Sequence, residues 1–213
     1  MLLYNTTMSM SPCDSGALSA QPEALIALPR AFYARPVLIV ARALLGMRLV
    51  RWLDGARLVG VITETEAYDG EGDLACHARS GITRRNAVMY GEPGRAYIYF
   101  TYGMHWCLNA VAEREGYAAA VLLRAVQPVE GIEIIAARRK PQPANLWTNG
   151  PARLTLAFGI DGSLNGCDLC DPQGSLYIAQ GTPPPAEIVK ATPRIGIQNV
   201  PEPWRSQPWR FVV

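Results

Sequence analysis

The stretch VGVITETEAYDGEGDLACH, residues 59–77, sets two glutamates, a tyrosine, further acids and a histidine at the mouth of an apolar run. A strand period of two puts Ile62, Glu64, Glu66 and Tyr68 on one face. Carboxylates that share a face with an aromatic ring cannot be core unless they are paired, because burying a lone charge is costly. Two readings stay open: a solvated strand end, or a general base beside a ring on which a ligand stacks. The period does not choose between Glu64 and Glu66.

His77 and its neighbours Asp69, Glu71 and Asp73 have the residue types of a metal site. Such sites usually draw on two or more His or Cys, however, and the chain has only two histidines. Cys167 and Cys170 have the spacing of half a zinc site but no second pair, and packing is the better reading. Nothing singles out a cysteine nucleophile for His77. The segment YIYFTYGMHW is more informative. Tyr97 suits an ordinary buried position, whereas Tyr102 falls where a turn projects it into solvent, with Met104 and His105 beside it. An exposed aromatic wedge of this kind is what minor-groove proteins push between base steps. Arg79, Arg84 and Arg85 upstream, and Arg138, Arg139 and Lys140 downstream, suit phosphate contacts, which position a protein without reading sequence.

These residues need elements to hold them. PVLIVARALLG (36–46) reads as a helix, with Pro36 in its first turn and Gly46 beyond its end. MRLVRWL and ARLVGVITETEAY flank Asp54-Gly55, a strong hairpin signal. Residues 69–95 form a long glycine-rich loop of the kind that usually carries function. GRAYIYF and HWCLNAVAE make a second hairpin around TYGM, followed by a strand over YAAAVLLRAVQPV. VEGIEIIAARRK and GPARLTLAFGI read as helices, and SLYIAQG, EIVKATPRIGI and PWRFVV as strands. Hairpins with irregularly interspersed helices predict an α+β fold with a curved, mainly antiparallel sheet, flanking helices and a protruding hairpin. Residues 1–28 lack periodicity and are expected to be poorly ordered, leaving one domain over 29–213.

Whole-chain properties bound the function. The composition, 49% hydrophobic and 18% charged, is that of a soluble globular protein, and no window approaches 18 apolar residues. The opening MLLYNTTMSMSPCDSGALS lacks a basic segment followed by an apolar one, so no secretory signal is expected there. Five scattered cysteines make no disulfide framework, so a reducing, cytoplasmic setting is expected. A net charge of +2 permits a nucleic-acid partner without arguing for one.

From about residue 31 almost to the end, the chain resembles the alkyladenine (3-methyladenine, N-methylpurine) DNA glycosylase family. ARALLG, ETEAY with a following histidine, TRRNxxM, YxYxxYGMxxCxN, LLRAxxPxEG, NGPARL and TPRIGI occur in the family's order, and together they are specific. Two places depart from its pattern: His105 stands where an aromatic is common, and relatives usually continue past PWRFVV. The resemblance implies a monofunctional glycosylase of base excision repair, without metal or cofactor; nothing in the sequence suggests an obligate protein partner, and a monomer is expected. Its substrate would be double-stranded DNA containing damaged purines. It further implies that Glu66 activates water held by Arg124 and the carbonyl of Ile195. Tyr68 and Tyr99 would sandwich the flipped base, with His77 against it. Asn109 would crowd the purine 2-position, Tyr102 would fill the gap in the duplex, and Met104, Arg84 and Arg85 would contact DNA.

The chemistry fits that implication. A purine alkylated at N3 or N7 is cationic, so aromatic faces attract it by about 0.5–2 kcal/mol per contact. It also departs neutral without an acid, so one carboxylate suffices where sugar hydrolases generally need two. A non-catalytic nucleic-acid module would leave Glu66 beside two tyrosines unexplained, and a metal hydrolase would lack ligands.

Overall fold

The computed structural model describes residues 25–213. Two short helices open this part, α1 (Arg30–Tyr33) and α2 (Val37–Ala43). Pro36 sits just before α2, where its missing N–H costs nothing. The predicted helix ends about a turn early, at Ala43, and Gly46 then adopts a left-handed φ of 81°. A side chain could not replace it, since a Cβ there would lie 2.1 Å from the Thr182 carbonyl oxygen. Val40, Ala41, Leu44 and Leu45 are buried against the sheet, each large one contributing about 1.5–3 kcal/mol by leaving water.

The strands β1 (Arg48–Leu53) and β2 (Ala56–Asp69) form the first hairpin. Asp54 and Gly55 take φ of 51° and 80°, the paired left-handed geometry that suits a tight turn between twisted strands. A second hairpin joins β3 (Ala96–Thr101) to β4 (His105–Ala112), and β5 (Ala119–Glu130) follows. Then come α3 (Ile132–Arg139), α4 (Pro151–Phe158), β6 (Leu176–Ala179), β7 (Lys190–Thr192) and β8 (Arg210–Val212). The strand order is β3-β4-β5-β2-β1-β6, and every pairing is antiparallel. The fold is α+β in one domain, as the pattern of hairpins and helices suggested.

β2 positions the site, and its edges explain how. One edge pairs with β5 from Val59 to Asp69; the other pairs with β1 up to Val61 and with β8 from Glu64 to Glu66. Three irregularities interrupt the β2–β5 ladder: Val129 is an extra residue in β5 near the start of the pairing, Thr63 is one in β2, and Arg124 is one in β5. Bulges bend a strand and re-aim its side chains. The expected common face for Ile62, Glu64, Glu66 and Tyr68 therefore does not run unbroken. Ile62 is core, whereas Glu64 and Glu66 both meet Arg124.

The strand expected over EIVKATPRIGI shrinks to Lys190–Thr192. Pro193 lacks an N–H for a ladder, and Arg194 onward is irregular backbone. Of the segment expected to be poorly ordered, residues 1–24 lie outside the described residues. Leu28 is described, and its N–H donates to the Ile178 carbonyl beside β6. Among the described residues no helix is long and apolar enough to cross a membrane.

Candidate active site

Glu66 has no solvent exposure. Its Oε2 accepts from the Tyr68 hydroxyl at 2.9 Å, and its Oε1 accepts from the Ile195 backbone N–H at 2.7 Å. The Arg124 guanidinium lies 3.2 Å from the same Oε1. Burial raises this carboxyl above the ordinary glutamate value; Arg124, the Ile195 N–H and Tyr68 pull it back down. A carboxylate has about four acceptor sites, so these three contacts leave room for one more donor.

Glu64 differs in its partners. Its Oε1 receives Arg124 Nε at 2.7 Å and Arg210 Nε at 2.6 Å. Glu64 is thus committed to two guanidinium groups and to fixing Arg124, a difference in partners that the strand period could not report. The backbone takes part as well, because the Arg124 carbonyl accepts from the Gly150 N–H of the NGPARL segment. That bond fastens the bulge to the start of α4.

A cavity of about 630 Å³ opens beside this cluster. Tyr68, Arg124 and Ile195 line it on the β2 side, and His77, Tyr99 and Asn109 line it from the loop and the second hairpin. Tyr102 stands at its edge. Glu66 lies directly behind Tyr68, Arg124 and Ile195 rather than on the cavity surface. Seven of the residues singled out from sequence thus converge on one space from five separate segments. Met104, Arg84 and Arg85 do not line it.

The aromatic wall is held by its neighbours. The His77 ring meets Tyr99 edge-on with centroids 4.5 Å apart, and His77 Nδ1 is 2.8 Å from the Tyr97 hydroxyl. Burial first, then the Arg85 and Arg79 charges, pushes the imidazole down to about 4, so it stays neutral near pH 7. Asn109 pairs across the hairpin with Tyr97, and Cys107 pairs with Tyr99. Its amide donates to the Tyr97 carbonyl at 2.9 Å, so part of its hydrogen-bonding capacity is structural.

At the hairpin tip, Tyr102 is 82% exposed and has a φ of 52°. An aromatic residue in the left-handed region costs about 1–2 kcal/mol. Gly103, with φ of 68°, shares the turn. Strain of this kind persists where the surrounding structure over-determines it; here the β3–β4 ladder does so.

The acids near His77 are engaged elsewhere. Asp69 accepts from the Tyr117 hydroxyl, and Glu71 from the Tyr90 hydroxyl. Asp73 and Arg194 form an ion pair whose side chains have no solvent exposure. Among the described residues no three His, Cys, Asp or Glu side chains gather as a metal-ligand set. Cys76 is buried and pushed up to about 11, an inert thiol hydrogen-bonded to the Ala118 carbonyl. Cys167 and Cys170 pack against the core.

Sequence reasoning passed over three contributors. Arg194 donates to Ala67 O and Asp73, and its guanidinium is stacked between Tyr68 at 4.8 Å and Trp209 at 4.9 Å. Asp73 was grouped with metal candidates rather than paired with it. Asn86 organises the 69–95 loop: its Oδ1 accepts from Thr83 N–H, and its Nδ2 donates to the His77 and Gly81 carbonyls. A lone positive charge in TPRIGI and the asparagine of TRRNxxM were the available signals for Arg194 and Asn86, whereas Asp73 stood undistinguished beside Asp69 and Glu71.

Comparison with known proteins points the same way. Residues 31–213 match the model of a family described as methylpurine-DNA glycosylase. A protein of Methanocella arvoryzae is 50% identical over 185 residues, covering 86% of this chain and 90% of its own. One of Carboxydothermus hydrogenoformans is 50% identical over 184 residues, covering 86% and 93%. One of Myxococcus xanthus is 48% identical over 186 residues, covering 87% and 89%. All three are provisionally named 3-methyladenine DNA glycosylase.

Proposed function

The chain belongs to the methylpurine-DNA glycosylase family, and from that premise we propose that Glu66 activates the water that releases a damaged purine flipped into the cavity. As a family member it is a DNA glycosylase acting on alkylated purines. Our reading adds deaminated and etheno-bridged purines as substrates and assigns the roles of individual residues.

In this reading Tyr102 occupies the gap left in the duplex, while Tyr68 and Tyr99 take the base between them and His77 meets it from the side. Flipping costs a few kcal/mol and costs least for lesions that pair poorly. Water attacks the sugar C1′ as the bond to the purine nitrogen breaks; the electron pair leaves with the base and the water's proton passes to Glu66. Arg124 and the Ile195 backbone hold that water, and the carboxylate also stabilises the cationic sugar. The resemblance assigned the holding of the water to the Ile195 carbonyl; the contact present here is from the Ile195 N–H to Glu66.

The observation that carries the reading is a fully buried carboxylate held by three groups that themselves line the cavity. Met104 and Arg84 are exposed beside the hairpin and loop and are assigned to the DNA backbone. The test is release of hypoxanthine from a duplex containing one such base, by the native chain and by Glu66→Gln, with and without EDTA. Release that survives EDTA and vanishes with Glu66→Gln supports the assignment. Release by Glu66→Gln at the native rate overturns it.

A further inference from the structure

Both tyrosines assigned to hold the base already carry a guanidinium. Arg194 lies 4.8 Å from the Tyr68 ring centroid, and Arg85 lies 5.2 Å from that of Tyr99. Neither arginine lines the cavity, although both rings do. The guanidinium groups therefore stack from outside, leaving the cavity side of each ring for a ligand.

The two are not equivalent. Arg194 is neutralised in its buried pair with Asp73, and Arg124 by Glu64 and Glu66. Arg85 is exposed, donates to the Phe100 carbonyl at 3.2 Å and to the Tyr97 hydroxyl, both uncharged, and is in no ion pair among the described residues. Arg79, on the cavity wall, donates to the Leu74 carbonyl and likewise has no acidic partner among them. His77 between them is neutral. The loop and hairpin side of the cavity thus carries positive charge that nothing opposes.

We propose that Arg85 is a specificity-determining residue, whose uncompensated charge on Tyr99 favours neutral lesion bases over purines made cationic by alkylation. A ring attracts a cation through its negative face, and a guanidinium already stacked on one face weakens that attraction on the other. It also repels a second cation across the ring. A neutral purine such as hypoxanthine meets neither penalty.

The effect belongs to binding rather than bond cleavage. Cleavage moves one electron pair onto the base in either case, so the base's charge falls by one unit for both lesions. Arg85 assists both departures alike. What differs is the charge that enters the pocket, so discrimination sits in kcat/KM and not in kcat.

This inference rests on the glycosylase reading above, and the experiment separates the two. Duplexes identical except for one 7-methylguanine or one hypoxanthine are mixed, and release of both bases is followed with the native chain, Arg85→Met and Arg85→Lys. Arg85→Met is expected to raise the 7-methylguanine to hypoxanthine ratio of kcat/KM by about three- to tenfold, with ethenoadenine behaving like hypoxanthine. Arg85→Lys, which keeps the charge, should stay near the native ratio, and Arg79→Met added to Arg85→Met should raise the ratio further. Because Arg85 is exposed, the native ratio should also climb with ionic strength, as screening grows. If Arg85→Met slows both releases equally and leaves the ratio within twofold, Arg85 serves the DNA backbone alone and the inference fails. Release of no base by the native chain would instead bring down the glycosylase reading itself.

Discussion

The backbone N–H of Ile195 meets Oε1 of Glu66 at 2.7 Å, across 129 residues of chain. Arg194, the residue just before it, is clamped by Asp73, Ala67 O, Tyr68 and Trp209. The N–H is thereby pinned by its neighbour's side chain. A segment without regular secondary structure can reach a buried carboxylate precisely where one donor is needed only because that anchor is buried too.

Glu66→Gln should retain binding to lesion-containing duplex and lose base release by about 10²–10⁴-fold. The amide keeps the shape but cannot take the water's proton. Glu64→Gln should cost less, because it only loosens Arg124 and Arg210. Single-turnover release by both variants decides the matter, and a dead Glu64→Gln beside an active Glu66→Gln would falsify the assignment.

The acid limb of the pH–rate profile should lie above the ordinary glutamate range, since burial raises Glu66. The base works only when deprotonated, so activity is lost as pH falls through that raised value. Arg124 pulls the value down, so Arg124→Met should push the limb to higher pH and slow release more at pH 6 than at pH 8. His77 titrates near 4 and should set no limb around 6.5. A limb left in place by Arg124→Met would mean that another group governs it.

Tyr102→Gly and Tyr102→Asn should relieve the left-handed strain, leaving stability unchanged or raising it by about 1 kcal/mol. Both should weaken the flipped state, where wedge and stacking contacts are worth roughly 1–3 kcal/mol. Ethenoadenine fluorescence reports flipping, and thermal melting reports stability. Loss of stability without a change in flipping would make Tyr102 a purely structural turn residue.

Asn109→Gly should let normal guanine be released slowly, because the wall next to the purine 2-position is opened. Burying an unpaired amino group costs about 1–3 kcal/mol. The variant also loses the bond to the Tyr97 carbonyl, so a modest drop in stability is expected beside it. Guanine and hypoxanthine release on otherwise identical duplexes gives the ratio, and a folded variant with the native ratio places the filter elsewhere.

Asp73→Asn should destabilise by about 3–5 kcal/mol, because it strands the Arg194 charge in the interior. The combined Asp73→Leu and Arg194→Met change removes both charges and should recover part of that loss. Denaturant unfolding measures each. Release by the double variant should nonetheless stay slow, as Ile195 loses its anchor; native-rate release would show that the clamp is dispensable for the site.

Much of this was legible in the chain itself. Asp54-Gly55 announced its hairpin because only small or polar residues tolerate two successive left-handed positions. The TYGM turn between β3 and β4 and the helix after Pro36 were equally local. The ordered motifs also carried the family, and with it the residues now found around one cavity. Where reading by period failed, the cause was not local. The register of β2 is broken by Thr63 and by Arg124, a residue 61 positions further on, and no two-residue period reports a bulge in a partner strand. Counting along the TYGM hairpin sets Asn109 level with Tyr99, but it falls opposite Tyr97 because the register depends on how many residues the turn consumes.

What the sequence determined by itself was therefore the set of elements, the turn chemistry and the residue types available for catalysis. The tertiary structure decided which carboxylate lies buried behind the cavity wall and which is spent on two guanidinium groups. Glu64 and Glu66 are the same residue type two positions apart, and their difference comes from partners at 124, 195 and 210. It also decided that Asp73 and Arg194 neutralise each other while Arg85 stands unopposed over Tyr99. Charge compensation falls steeply with distance and burial, and both are fixed only when distant segments pack together.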